Sequence, residues 1–240
     1  MIRVTDDGTV RVVTLDRPDA RNALTPSGLD ALESAVVDAP GAVVLVRGAG
    51  DAFCAGADLS VVAGVAADTL AGDEDAVRTF VERGQRVLSS IAAADAVVVA
   101  GVDGAARGGG VELALACDLR VATPDATFAE PGVTFGLFGA WGGTHRLPQT
   151  VGMADAMDLS LSGRAVDAAD AHRMGLVSRV VDDPRAVADE LAGNDPRALR
   201  LVKQRLRDDA PQDDQEAAEV AAFEALLAEH AEALTEHRKG

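Results

Sequence analysis

Cysteine and lysine are nearly missing from this chain, with two of each: Cys54 and Cys117, Lys203 and Lys239. The cysteines lie far apart, with no CxxC pair and no Cys/His cluster, so neither a disulfide framework nor a structural zinc site is indicated. Both read as small buried apolar residues. Positive charge is almost all arginine, and 39 acids stand against 22 basic residues for a formal net charge of -17. That balance argues against nucleic acid or an anionic membrane as a partner, because both need a basic footprint. No stretch approaches the roughly 20 uncharged apolar residues of a membrane span. The start, MIRVTDDGTV, carries acids and lacks an apolar h-region, so no signal peptide is expected and a cytoplasmic protein is. A lysine-poor, aspartate-rich surface is the expected signature of a halophilic protein, since salt screens much of the self-repulsion. Greatest stability without salt would refute that expectation.

What is present suits a sizeable core. Hydrophobic residues make up 48% of 240 residues, enough for one α/β domain or a domain with a small helical appendage. Val10–Leu15, Ala42–Val46, Ala96–Val102 and Leu119–Ala122 read as strands, two of them continuous apolar runs of the kind buried on both faces. Asp16–Leu24 is a loop. Thr25-Pro26 is an N-cap followed by proline at the first helical position, opening a helix to about Val37. Gly48–Ser60 reads as a Gly/Ala-rich loop, and Ala63–Asp75, small and acidic, as a mobile segment. A helix is expected from Glu74 to about Ala93 and another over Val111–Ala116. Beyond Thr127 the chain is Gly-rich and aromatic, then helical over Met153–Leu161, Asp167–Met174, Arg185–Ala192, Pro196–Arg207 and Gln212–His237. One strand, Leu176–Val181, interrupts. Strands alternate with helices early and helices dominate late, which fits a βαβ-built core with a C-terminal helical region.

The strongest local signal is Arg107-Gly108-Gly109-Gly110-Val111-Glu112, directly after an apolar strand. Consecutive glycines admit a close ligand approach. They sit where a helix begins, so unpaired N–H groups and the positive end of the dipole meet a developing negative charge. Taken alone, such a run is more often an ordinary turn. It lacks the Gly-Lys-Ser/Thr ending of a phosphate loop, and no GxGxxG opens the first βα unit. No GxSxG elbow occurs either. A second small-residue turn, Ala52-Phe53-Cys54-Ala55-Gly56-Ala57-Asp58-Leu59, follows the strand Ala42–Val46.

Together these elements resemble the enoyl-CoA hydratase/isomerase (crotonase) superfamily. FCAGADL is similar to that family's first oxyanion-hole segment and DGAARGGGVELALACDLRVA to its second. Phe128–Gly152 and LSGRAVDAADAHRMGLVSRVV match its next blocks in order, so the resemblance runs from Val10 to about Val181. It implies an α/β fold with a ββα spiral core over residues 1–182 and a C-terminal helical region over 183–240. It implies an acyl-CoA enzyme that stabilises a thioester enolate, foremost an enoyl-CoA hydratase. An isomerase or decarboxylase of the same fold, or a non-catalytic acyl-CoA binder, is the alternative. Transferred by position, the backbone N–H groups of Ala57 and Gly109 form the oxyanion hole and Glu112 is a catalytic carboxylate. Arg17, Asn22 and Ala23 lie against the nucleotide of coenzyme A, and Ala55, Asp58, Leu59 and Gly108 extend the substrate wall. Arg238 and Lys239 are candidates for the CoA phosphates. No metal and no cofactor beyond the substrate's own coenzyme A is implied. The implied assembly is a homotrimer or dimer of trimers.

The pattern breaks at one place. Family hydratases carry a second glutamate just after a proline; in Glu130-Pro131-Gly132 that position is Gly132. Either Glu112 works alone, or Glu130 reaches in, or the reaction is not hydration. Nearby, Trp141 stands where the family commonly has a small residue. With Phe135 and Phe138 it forms a local aromatic concentration, read as pocket lining slightly ahead of core.

Overall fold

The computed structural model describes residues 1–237 of the chain. Nine strands form two sheets among those residues. The larger has the order β1 (Ile2–Asp7), β2 (Val10–Leu15), β3 (Val43–Gly48), β4 (Val97–Val102), β6 (Leu119–Ala122), β9 (Arg179–Val180). Its first pair is an antiparallel hairpin and every other pairing is parallel. The smaller sheet joins β5 (Ala105–Arg107), β7 (Thr127–Ala129) and β8 (Val166–Asp167). The helices are α1 (Pro26–Val37), α2 (Leu59–Leu70), α3 (Ala76–Ala93), α4 (Gly109–Ala116), α5 (Gly143–Ser162), α6 (Ala168–Arg173), α7 (Pro184–Ala192), α8 (Pro196–Arg207) and α9 (Gln212–His237).

Strand β4 is apolar throughout, and β3 is apolar but for the exposed Arg47, because both of their faces are covered. Val44, Val46, Val98 and Ala100 point into the main core with Leu29 and Leu32 of α1 and Val87, Leu88 and Ile91 of α3. Their neighbours Val43, Leu45 and Val99 turn the other way, under Val187 and Ala188 of α7. This is the period-2 alternation of a strand read on two cores at once. Helix α1 begins where Thr25-Pro26 predicts, with the Thr25 hydroxyl accepting from Gly28 N at 3.1 Å.

Several segments differ from expectation, among them the helix expected over Met153–Leu161, which spans Gly143–Ser162. The stretch read as mobile is helical as far as Leu70, because Asp58 caps the helix by accepting from Ser60 N at 3.0 Å and the following Ala/Val/Leu residues favour helix over the single Gly64. None of the α2 residues is fully buried, which is why apolar periodicity did not reveal it. Strand β1 also escaped the sequence reading: Arg3 to Asp7 are all exposed, so it carries no buried face to read. The strand at Leu176–Val181 shrinks to Arg179–Val180, while Leu176 and Val177 enter the core instead.

Candidate active site

The site forms where two turns meet. Leu24 bridges to Ala57 and Cys54 to Ala106, tying the loop after β3 to the loop between β2 and α1 and to β5. Leu24 N donates to Gly56 O and Asp58 N donates back to Leu24 O. That pairing uses the groups on either side of Ala57, whose own N–H finds no acceptor among the described residues. Gly56 has φ +87°, and a β-carbon there would lie 2.6 Å from Arg107 O and 2.8 Å from Gly109 N, so only glycine lets the turns approach.

Across that contact, Gly109 opens α4. Gly108 N donates to Ala129 O, and its carbonyl accepts from Val111 N and Glu112 N. The Gly109 N–H, in the first helical position, is likewise without an acceptor among the described residues. A β-carbon on Gly109 would lie 3.3 Å from Ala57 N, so the two free donors are neighbours. A helix N-terminus stands behind one of them.

Glu112 lies one turn into α4 and is only 2% exposed. Its Oε1 accepts from Trp141 N at 2.7 Å and Gly143 N at 2.8 Å, and Gly139 and Gly143 close over the carboxyl. It is therefore not a solvated first-turn acid. Burial pushes its pKa above the ordinary glutamate value, while the two backbone donors and the nearby Arg146 charge hold back part of that rise. A carboxylate so placed is a stronger base than a free one and still has Oε2 available.

Position 132 cannot hold a second carboxylate. A β-carbon on Gly132 would lie 2.9 Å from Phe138 Cα and 3.0 Å from Leu137 O, because the chain folds back and Leu137 N donates to Gly132 O. A carboxyl is nevertheless close by. Glu130 is 8% exposed, and its Oε1 has no hydrogen-bond partner among the described residues. It lines a cavity of about 30 Å³ with Gly139, Gly143, Thr144 and Ser160. That volume has room for a water molecule and the lining offers it polar partners. Burial, and next the charge of Glu112, push the Glu130 carboxyl up to about 8. The sequence hint was slight: a glutamate directly after the buried pair Phe128-Ala129, fixed by Pro131.

This shift has a consequence for stability. A carboxyl that binds its proton more tightly when folded contributes fully below its unfolded value, near 4.5, and loses that contribution as pH rises towards about 8. Glu130→Gln, which cannot ionise, is expected to gain on wild type across that window and to hold the gain above it. The upper bound is a few kcal/mol, at about 1.4 kcal/mol per tenfold change in proton affinity. Thermal melts at pH 5 and pH 9 check it; an equal difference at both values would count against the buried, proton-holding Glu130.

Trp141 is 2% exposed and packs edge-in between two helices. Its ring rests on Gly84 of α3 and Gly109 of α4, where a β-carbon would come within 2.2 Å and 2.6 Å of it, and Phe80 stacks at 5.6 Å with a 52° tilt. Trp141 is thus a core residue, and it lines neither the Glu130 cavity nor the larger one beneath α2. The other aromatics do not join it: Phe135 and Phe138 are 67% and 68% exposed, and Phe138 borders the small Glu130 cavity.

The residues assigned to the nucleotide loop form a knot of their own. Arg17 pairs with Asp58 at 3.0 Å and donates to Ala23 O. Asn22, fully buried at φ 58°, donates to Ala49 O and Ala52 O and accepts from Arg17 N. Its side chain is consumed in holding the loop, so only backbone is left there for a ligand. Ala55 N donates to Arg21 O, and Leu59 is 67% exposed beside this knot. Arg238 and Lys239 lie outside the described residues. Burial pushes both cysteine thiols up to about 12, which suits apolar packing and not nucleophilic chemistry.

Comparison with known proteins gives the family. A family model described as enoyl-CoA hydratase/isomerase matches residues 5–240. The chain belongs to that family. It is 35% identical over 211 residues to a short-chain-enoyl-CoA hydratase of Clostridium acetobutylicum, spanning 83% of this chain and 78% of the relative. It is 38% identical over 212 residues to the human mitochondrial enoyl-CoA hydratase domain-containing protein 2, spanning 82% and 70%. The crystal structure of enoyl-CoA hydratase from Bacillus anthracis superimposes with a TM-score of 0.88 at 30% identity over 99% of this chain and 96% of that one. The fold is the family's α/β spiral with its C-terminal helices.

Proposed function

We propose that the chain adds water to a 2-enoyl-CoA, giving the 3-hydroxyacyl-CoA, with the thioester oxygen held by Ala57 N–H and Gly109 N–H. The observation that carries this reading is the meeting of two acceptor-free backbone donors with one buried carboxylate, Glu112. Water attacks the β-carbon as Glu112 takes its proton. The electron pair of the double bond moves through the α-carbon into the thioester, and the resulting enolate oxygen is held by the two N–H groups. Glu112 then returns the proton to the α-carbon, on the face from which it came. Atoms balance with one carboxylate, so a second at position 132 is not required.

Coenzyme A lies, on this reading, against the Arg17–Asn22–Ala23 loop and the Asp58–Leu59 wall. Hydration of crotonyl-CoA, followed as loss of enoyl-thioester absorbance with the product identified, tests the proposal. No hydration of any 2-enoyl-CoA, at low or high salt, sinks it. Double-bond migration or loss of carbon dioxide instead of hydration would favour an isomerase or decarboxylase, which use the same enolate hole and to which the side-chain-free Gly132 is equally suited. A cytoplasmic trimer or dimer of trimers fits the apolar residues that α9 leaves exposed, Val220, Phe223, Leu227 and Leu234; light scattering that gives a monomer removes that part.

A further inference from the structure

The reacting carbons must lie between the oxyanion hole and Glu112, and one residue touches both. Trp141 donates its backbone N–H to Glu112 Oε1, and its indole lies on Gly109. The indole therefore adjoins the donor at Gly109, and the backbone of the same residue holds the base. Phe80 packs against the indole with ring centres 5.6 Å apart, and Phe80, though not Trp141 itself, lines a cavity of about 250 Å³ beneath α2 with Leu24, Leu29, Val61 and Val65. Leu24 is the bridge partner of Ala57, so this cavity begins beside the other donor. The indole is held on three sides, by Gly84, Gly109 and Phe80, and has no room to swing away without displacing α3 or α4.

We propose that Trp141, backed by Phe80, is the wall that selects the acyl group: straight chains pass along the indole towards the cavity beneath α2, and groups branched or bulky at the β-carbon are rejected. The selection rests on the hydratase reading for its kinetic readout, but not for its binding readout. A rigid aromatic face excludes by contact, and the cost of one misplaced methyl group in such a pocket is on the order of 10-fold or more in kcat/KM. The same residue positions the base, so enlarging the pocket is expected to lower kcat on every substrate. The ratio between substrates is the informative quantity.

The test compares wild type, Trp141→Ala and Trp141→Phe on crotonyl-CoA, 2-octenoyl-CoA, 3-methylcrotonyl-CoA and cinnamoyl-CoA. Trp141→Ala is expected to raise the kcat/KM ratio of 3-methylcrotonyl-CoA and cinnamoyl-CoA to crotonyl-CoA by on the order of 10-fold or more, with Trp141→Phe between it and wild type. A uniform fall on all four substrates, with the ratios unchanged, overturns the proposal and leaves Trp141 a packing residue. Should Trp141→Ala fail to fold, Trp141→Phe keeps the contact with Phe80 and carries the comparison alone. Calorimetric binding of the saturated analogues, butyryl-CoA and isovaleryl-CoA, needs no turnover. Wild type that binds butyryl-CoA in preference to isovaleryl-CoA, a preference that Trp141→Phe loses, upholds the wall even if no hydration is found. Equal binding of the two by wild type overturns it.

Discussion

Glu112→Gln is expected to lower the rate of enoyl-CoA hydration by about 10²–10⁴-fold, the usual worth of a positioned acid–base group. The substitution is nearly isosteric. Glutamine keeps an oxygen to accept from Trp141 N and Gly143 N, so the turn that closes over the side chain stays in place. What is lost is the basic Oε2. Affinity for the thioester is expected to survive, since Ala57 N–H and Gly109 N–H are untouched, so the loss should fall on kcat and not on binding. The pH profile adds a second signature. Burial raises the Glu112 pKa, and the base works only when ionised. The wild-type rate should therefore fall as pH drops, beginning above the ordinary glutamate range, and this acid limb should be missing from the residual activity of Glu112→Gln. Full activity in the variant on every acyl-CoA would end the case for Glu112 as the base. Glu130 supplies the control: if Glu112 works alone, Glu130→Gln keeps most of the rate while Glu112→Gln does not.

How much of this was legible in the sequence depends on what each feature is made of. The buried strands announced themselves, because a strand covered on both faces must be apolar at every position, and Val97–Val102 is. The turn that brings Ala57 to Gly109 was legible for a related reason. Ala57 and Gly109 meet only if glycine stands at position 56, and a glycine-rich run before a helix is visible in one dimension. The α2 helix was not, since it has no buried face to impose a period. Nor was the packing of Trp141: its partners Phe80, Gly84 and Gly109 come from two other helices, and nothing local brings them together. Asn22 shows the opposite limit. Its position beside the site is legible, but its three hydrogen bonds go to loops, which turns an expected ligand contact into a scaffold. Glu130 is intermediate. Its proximity to the gap at Gly132 could be read, but its burial and its unpartnered oxygen depend on how α5 and the 3-10 turn Pro131–Phe135 enclose it.

Asp118→Ala is expected to cost about 3–5 kcal/mol, the price of stranding a buried charge, and to unfold a domain whose total stability is on the order of 5–15 kcal/mol at a much lower denaturant concentration. The charge stranded is Lys203, one of the chain's two lysines. Its side chain is 8% exposed; Nζ lies 2.8 Å from Asp118 Oδ2 and donates to Ala96 O at 2.7 Å. Asp118, 10% exposed, also accepts from Val98 N and from Arg207, so one carboxylate pins α8 to the ends of β4 and β6. A compact ammonium on a flexible stem fits this crowded point where the broad arginine fork does not. That is a physical reason for lysine to persist here in a chain otherwise built with arginine. Most other ion pairs, such as Arg78 with Glu82 and Arg173 with Asp170, are largely exposed and individually contribute little. Salt separates the two kinds. Exposed pairs are screened at high ionic strength and the buried pair hardly is. The deficit of Asp118→Ala should therefore persist in concentrated salt, and Lys203→Met in the same background should restore part of it by removing the stranded charge. Denaturant titrations of the two single variants and the double variant measure the coupling. A loss below 1 kcal/mol for Asp118→Ala, or a double variant no more stable than that single one, would show that α8 is held by its apolar contacts and not by this ion pair.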